Sequence, residues 1–231
     1  MAKTKKTAVL AETGKKFLDS VGTAALIKKI KDEFVTRDEF EYVPIAITSF
    51  TNNKNTVEMG TKITDVILNW ALNKDPKTMK INDESITPLT ARTKTYSGQN
   101  ITQNVAYTLK VTDEKDATAT KTTSISFVNG VYWGAKTAPS GAYDSAFILG
   151  LTKGLQGSKR KTFTVDAAAG QHIFYALPSR YGSCVFNVGG FDGGFTKVST
   201  IEFTNASGYK ENYDIYKSVN AGLGNTTVTV K

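Results

Sequence analysis

Short runs in which apolar and polar residues alternate recur along most of this 231-residue chain, and that period of two constrains it more than any other feature. Within residues 63–72, Val66, Leu68, Trp70 and Leu72 share one side; within 105–111, Val105, Tyr107, Leu109 and Val111 do the same. Successive side chains of a strand point to opposite faces, so such a run buries one face and wets the other. Between the runs lie turn clusters, among them Asn73-Lys74-Asp75-Pro76 and Asp113-Glu114-Lys115-Asp116. Thr supplies roughly one residue in seven, a composition that suits pleated, half-buried surfaces. The fold class expected is therefore mainly β.

Three regions separate by pattern. Residues 1–41 are the helical stretch, punctuated by Gly14 and Gly22, with Thr23 placed to N-cap a segment over 24–34. On that segment Leu26, Ile27, Ile30 and Phe34 form an apolar stripe, while Lys28, Lys29 and Lys31 lie off it. Three turns are marginal in water, because so few residues do not recover the nucleation cost. The stripe must pack on something, and it is read as the anchoring or oligomerisation element. Residues 42–128 hold about seven short strands: 44–50, 63–72, 78–82, 93–97, 105–111 and a last one through Ile125 and Phe127 account for most. With a buried Trp among them, this is similar to an immunoglobulin-like sandwich. The usual inter-sheet disulfide cannot form there, since the lone cysteine is Cys184. Residues 129–231 are expected to form a second all-β domain. Strands are read at 162–166, 171–177, 184–188, 200–203, 212–217 and 226–230, with a glycine-dense hairpin tip over 189–195 that places Asp192-Gly193 at positive φ.

Few residues are candidates for chemistry. One Cys excludes a disulfide framework, and one His (His172) excludes paired-histidine zinc motifs. His172 lies in an alternating run with Phe174 and Ala176, and Cys184 alternates with Phe186 and Val188, so both read as strand residues. The carboxylates Asp144, Asp166, Asp192, Glu202, Glu211 and Asp214 could in principle face each other across a sugar, but no pair is marked by its surroundings. Residues 154–162 miss the G-x-x-x-x-G-K-[ST] spacing, leaving a basic solvated loop. No catalytic residue, cofactor or metal is expected.

The net charge of +8 is concentrated at the start. Residues 1–31 hold eight Lys against Glu12 and Asp19, residues 32–41 reverse the sign with five acids against Arg37, and the rest carries 20 basic and 14 acidic residues. A basic arm on an acidic surface fits this better than a nucleic-acid groove. No apolar run approaches the length of a membrane span, and no secretory leader is read at the start.

Some segments resemble a known family. Phe17-Leu18-Asp19-Ser20-Val21-Gly22 followed by Leu26-Ile27-Lys28-Lys29-Ile30-Lys31 resembles the short N-terminal helix of phage fibre and other virion appendage proteins. The segments 67–74, 107–114 and 124–127 look like an immunoglobulin-like module common in phage structural proteins. Tyr175-Ala176-Leu177-Pro178, Phe186-Asn187-Val188-Gly189-Gly190-Phe191, and the segments 203–209 and 214–218 are similar to the terminal domain of virion proteins of tailed phages infecting gut Bacteroidetes, including crAss-like phages. The resemblance implies a non-enzymatic virion protein, a head fibre or capsid-surface decoration made in the host cytoplasm, with a tail-fibre or baseplate component as the alternative. It implies a homo-oligomer, trimer before dimer, whose partners are capsid or tail proteins together with host-surface or mucus glycans, and neither nucleic acid nor membrane. A carbohydrate-active enzyme is the competing reading from another class.

Overall fold

The computed structural model describes residues 20–33 and 42–231. The chain divides into two compact units, Met1–Pro44 and Ile45–Lys231.

In the first unit a helix α1 spans Ser20–Glu33, 14 residues and about 21 Å. It begins before the expected cap, so Thr23 is a helical residue and Gly22 does not punctuate. Each further residue in a formed helix adds a hydrogen bond, which offsets the roughly 1 kcal/mol that a helical Gly costs. Phe34 lies outside the described residues.

The second unit is mainly β, built as two sandwiches. The first contains β1 (Ile47–Asn52), β2 (Thr56–Glu58), β3 (Val66–Leu72), β4 (Thr78–Ile81), β5 (Glu84–Ser85), β6 (Thr93–Tyr96), β7 (Val105–Thr112) and β8 (Thr118–Val128). One sheet has the order β1-β3-β6 and the other β2-β8-β7-β4-β5. The opening segment changes sheets: β1 pairs antiparallel with β3, whereas β2 pairs parallel with β8. Asn52 makes that crossing. Its Oδ1 accepts from the backbone N–H of Lys54 and Asn55, and its Nδ2 donates to Thr123 Oγ1 and the Ser124 carbonyl. Between the sheets Val66, Leu68 and Trp70 meet Met79, Ile81, Leu109, Val111 and Ile125, all buried. Leu72, expected to face inward with them, is only half-buried. The pattern is immunoglobulin-like, with the buried indole on β3, edge-on to Phe50 at 6.4 Å.

The second sandwich contains β9 (Gly130–Lys136), a short helix α2 (Ser145–Leu149), β10 (Thr152–Leu155), β11 (Lys161–Ala167), β12 (His172–Pro178), β13 (Phe186–Val188), β14 (Phe191–Asp192), β15 (Phe195–Thr204), β16 (Lys210–Ser218) and β17 (Gly224–Val230). Its sheets run β10-β9-β12-β16-β15 and β11-β17-β13-β14. The larger sheet is covered on both sides. Ile173, Tyr175 and Leu177 face Phe163, Phe186 and Val228 of the smaller sheet, while Phe174 and Ala176 pack with Phe147 and Ile148 of α2. Consequently β12 is buried without interruption from Ile173 to Pro178, not in alternation. A strand closed in from both faces reads as a continuous apolar run. The helix α2 is an addition to the expected all-β domain; Asp144 Oδ1 caps it by accepting from Phe147 N at 2.7 Å.

The hairpin tip also differs from expectation. Val188 pairs with Phe191, so the turn is Gly189-Gly190, with φ of +58° and +91°. Asp192 is a strand residue opposite Asn187. Two adjacent glycines satisfy a two-residue turn that needs positive φ at both positions more cheaply than Asp192 could.

Candidate functional site

The stripe residues of α1 stand as follows. Leu26 is 40% and Ile27 48% exposed. Ile30 belongs to the helix, but its side chain lies outside the described residues, as does Phe34 entirely. The side chains of residues 23–29 are all exposed, Lys28 and Lys29 included. Two large aliphatic groups are thus open to contact beside two ammonium groups.

The residues weighed for chemistry are held by the fold. His172 is half-buried at the start of β12, with its Nδ1 2.8 Å from the Ser218 carbonyl. Cys184 is half-buried too, and its backbone N–H donates to the Tyr216 hydroxyl at 3.3 Å. Burial pushes the Cys184 thiol up to about 11, against a smaller downward pull from Lys159. A thiol so placed carries little thiolate at neutral pH.

The carboxylates have structural partners. Glu202 pairs with Lys210 at 2.9 Å, and Asp192 accepts from Asn187 at 2.6 Å and Lys231 at 3.1 Å. Asp214, 5% exposed, collects three donors on one oxygen: Ser179 Oγ at 2.7 Å, Thr200 Oγ1 at 2.8 Å and Lys197 Nζ at 2.8 Å. Burial alone would raise the Asp214 carboxyl, but the bonds from Lys197, Ser179 and Thr200 together outweigh it and hold it below its usual range. Asp166 is exposed on β11, across from Asn225 of β17. Among the described residues, no three His, Cys, Asp or Glu side chains gather as a metal-ligand set.

The densest polar arrangement is one that sequence patterning missed, where the two sandwiches meet. Only Asn129 separates β8 from β9, and it is 2% exposed. Its Nδ2 donates to Glu211 Oε2 at 2.5 Å, its Oδ1 accepts from Arg180 at 3.0 Å, and its carbonyl accepts from Gln156 N at 3.1 Å. Arg180 closes the triangle by donating to the other oxygen of Glu211. Beside it Glu58 of β2, also buried, accepts from the Tyr132 hydroxyl at 3.2 Å and pairs with Lys153 at 2.9 Å. Asn205 Nδ2 reaches across to the Met59 carbonyl at 2.7 Å. The backbones are equally close: a Cβ on Gly60, whose φ is +86°, would fall 2.6 Å from that of Tyr209. Buried polar groups are stable only when fully paired, and these are. The partners are separated by 27 to 146 positions in sequence, beyond any local pattern.

No family model matches the chain, and no curated protein matches it. Among solved structures it is similar to the Sidekick-1 immunoglobulin domains 1–4, at 10% identity and a TM-score of 0.30, over 80% of this chain and 48% of that one. It is also similar to the N-terminal eight Ig domains of Down Syndrome Cell Adhesion Molecule isoform 1.30.30, at 8% identity and a TM-score of 0.24, over 80% of this chain and 26% of that one. The chain spans less than half the length of either. No helix among the described residues is long and apolar enough to cross a membrane.

Proposed function

We propose that this chain is a structural protein of a phage particle, a head fibre or capsid-surface decoration, that anchors through its N-terminal segment and presents its β-sandwiches to the surroundings. The reading is carried by one observation: Leu26 and Ile27 lie open on a helix belonging to a different compact unit from the β-sandwiches, which have buried cores of their own. Covering what remains open of two such side chains is worth about half of the roughly 1.5–3 kcal/mol that full burial brings to each, enough for a weak contact and too little for a lasting one. Repetition of the helix in a homo-oligomer, a trimer in this proposal, makes the contact multivalent and therefore durable. The lysines beside the stripe favour an acidic capsid or tail surface and make attachment salt-sensitive. The two sandwiches, locked through Asn129, suit a stiff spacer, and the segments resembling gut-phage virion proteins point the same way.

The test is deletion of residues 1–41, with Ile27→Asp plus Ile30→Asp as the gentler variant. Both should leave the strand circular-dichroism signal intact while reducing the protein to monomers in sedimentation and stripping it from particles. A truncated protein that still oligomerises and still loads onto particles places the anchor in the β-sandwiches and defeats the proposal.

A further inference from the structure

The smaller sheet of the second sandwich turns one face to its core and the other to solvent. Phe163 of β11 with Val228 and Val230 of β17 point inward; the alternating residues Thr162, Thr164, Thr227 and Thr229 point outward. Strand register sets them hydroxyl to hydroxyl, Thr162 to Thr229 at 3.1 Å and Thr164 to Thr227 at 2.8 Å. Asn187 of β13 continues the first row, since it pairs with Thr229. At one end of this ladder lies a groove of about 480 Å³, lined by Arg160, Lys161, Thr162, Thr229, Val230 and Lys231.

The backbone that carries the groove's cations is set before any ligand arrives. Gln156 Nε2 donates to the carbonyls of Ser158 and Arg160, at 2.8 and 2.9 Å, and so sets the turn that carries Arg160. Lys161 Nζ lies 4.2 Å from the centre of the Trp133 ring. Lys231 pairs with Asp192 at 3.1 Å, but both side chains are more than half exposed, and such pairs exchange readily. The Arg160 guanidinium has no carboxylate partner among the described residues. Strand register sets Arg160 across from Lys231, and a planar fork opposite an ammonium recognises sulfate or carboxylate well.

We propose that this face binds an acidic polysaccharide, with a sulfate or carboxylate group held between Arg160 and Lys231 and the sugar hydroxyls lying along the Thr and Asn ladder. A small anion would use the groove alone, whereas the ladder offers donors and acceptors well beyond it. A nucleic acid fits poorly. The Thr and Asn ladder itself carries no aromatic ring for bases to stack on. A sugar chain needs no such ring, because its hydroxyls can bond to the threonine and asparagine side chains directly. The face would bind such a chain whether or not the protein rides on a particle, so its test is independent of the function proposed above.

The experiment titrates the full chain with heparin, uncharged dextran and duplex DNA, and measures the melting temperature of every variant. Heparin should bind and dextran should not. Arg160→Gln plus Lys231→Gln should weaken heparin at least about tenfold, the loss expected when charge-assisted bonds go, while Arg160→Lys, which keeps the charge but not the fork, should fall between that variant and the natural chain. Thr164→Val plus Thr227→Val should weaken it several-fold. The control Lys80→Gln plus Lys110→Gln, on the first sandwich, should bind as the natural chain does. Melting temperatures should stay level throughout. The proposal is overturned if the Arg160 and Lys231 variant binds heparin undiminished, if the control loses as much, or if DNA binds as tightly and with the same dependence on Arg160.

Discussion

Asn129 donates to Glu211 at 2.5 Å across 82 positions of sequence, and Arg180 bonds to both of them. Two side chains thereby clamp the one residue that lies between the two sandwiches. Asn129→Ala leaves the largely covered Glu211 carboxylate short of a donor, at a cost of about 1–3 kcal/mol, whereas the half-exposed Arg180 guanidinium can turn to water. Urea unfolding of the natural chain should show one transition for both sandwiches, and the variant should separate it into two. One unchanged transition would show that the clamp does not couple them.

Trp70 fills the first core while its Nε1 has no hydrogen-bond partner. Trp70→Ala should cost about 3–5 kcal/mol, as other large aromatic truncations do. Trp70→Phe removes volume but no hydrogen bond, so its cost should be well below that, about 1–2 kcal/mol. Equal losses for the two variants in chemical denaturation would mean that the indole N–H is bonded after all.

Asp214 makes stability depend on acid. Its carboxyl titrates below the ordinary 3.8 in the folded chain, so the stability it contributes is complete above that value and fades as pH falls through the lower, folded one. Asp214→Asn should cost about 1.5–3 kcal/mol at pH 7, in line with hydrogen bonds to a charged group. The gap between the two proteins should narrow below pH 3.8. A gap that stays constant between pH 7 and pH 3 would remove Asp214 from the account.

Cys184, with its thiol pushed up to about 11, should react slowly with thiol reagents at pH 8 in the native chain and rapidly once denatured. Cys184→Ser and His172→Ala should both leave heparin binding as it is. Fast native labelling would mean that the thiol is open.

What the sequence disclosed depended on how far away the deciding partner was. Val66, Leu68 and Trp70 alternate and are buried in alternation, because one face of β3 meets the opposite sheet. The same rule applied to β12 failed, since the smaller sheet covers one of its faces and α2 the other. Five helical residues are too few to display a period, although Asp144 ahead of them and Gly150 behind were visible marks of a short helix. At the turn, choosing Asp192-Gly193 over Gly189-Gly190 required knowing which residues pair, and pairing is a tertiary fact. That Leu26 and Ile27 anchor is the proposal made above; that they lie on a helix was legible because spacing on a helix is local. The clamp around Asn129 was not, because nothing near it in sequence names Arg180 or Glu211.

The single residue between β8 and β9 also bears on how such a chain could change over generations. Two domains joined by a loose tether can be duplicated, exchanged or spliced with new neighbours, because the join tolerates any length. Here one inserted residue would turn β9 over relative to β8 and carry Tyr132 away from Glu58. The two sandwiches are therefore expected to be inherited as a pair. Recombination that brings this chain a new end should cut outside Ile45–Lys231, and not at the seam that a count of domains would suggest.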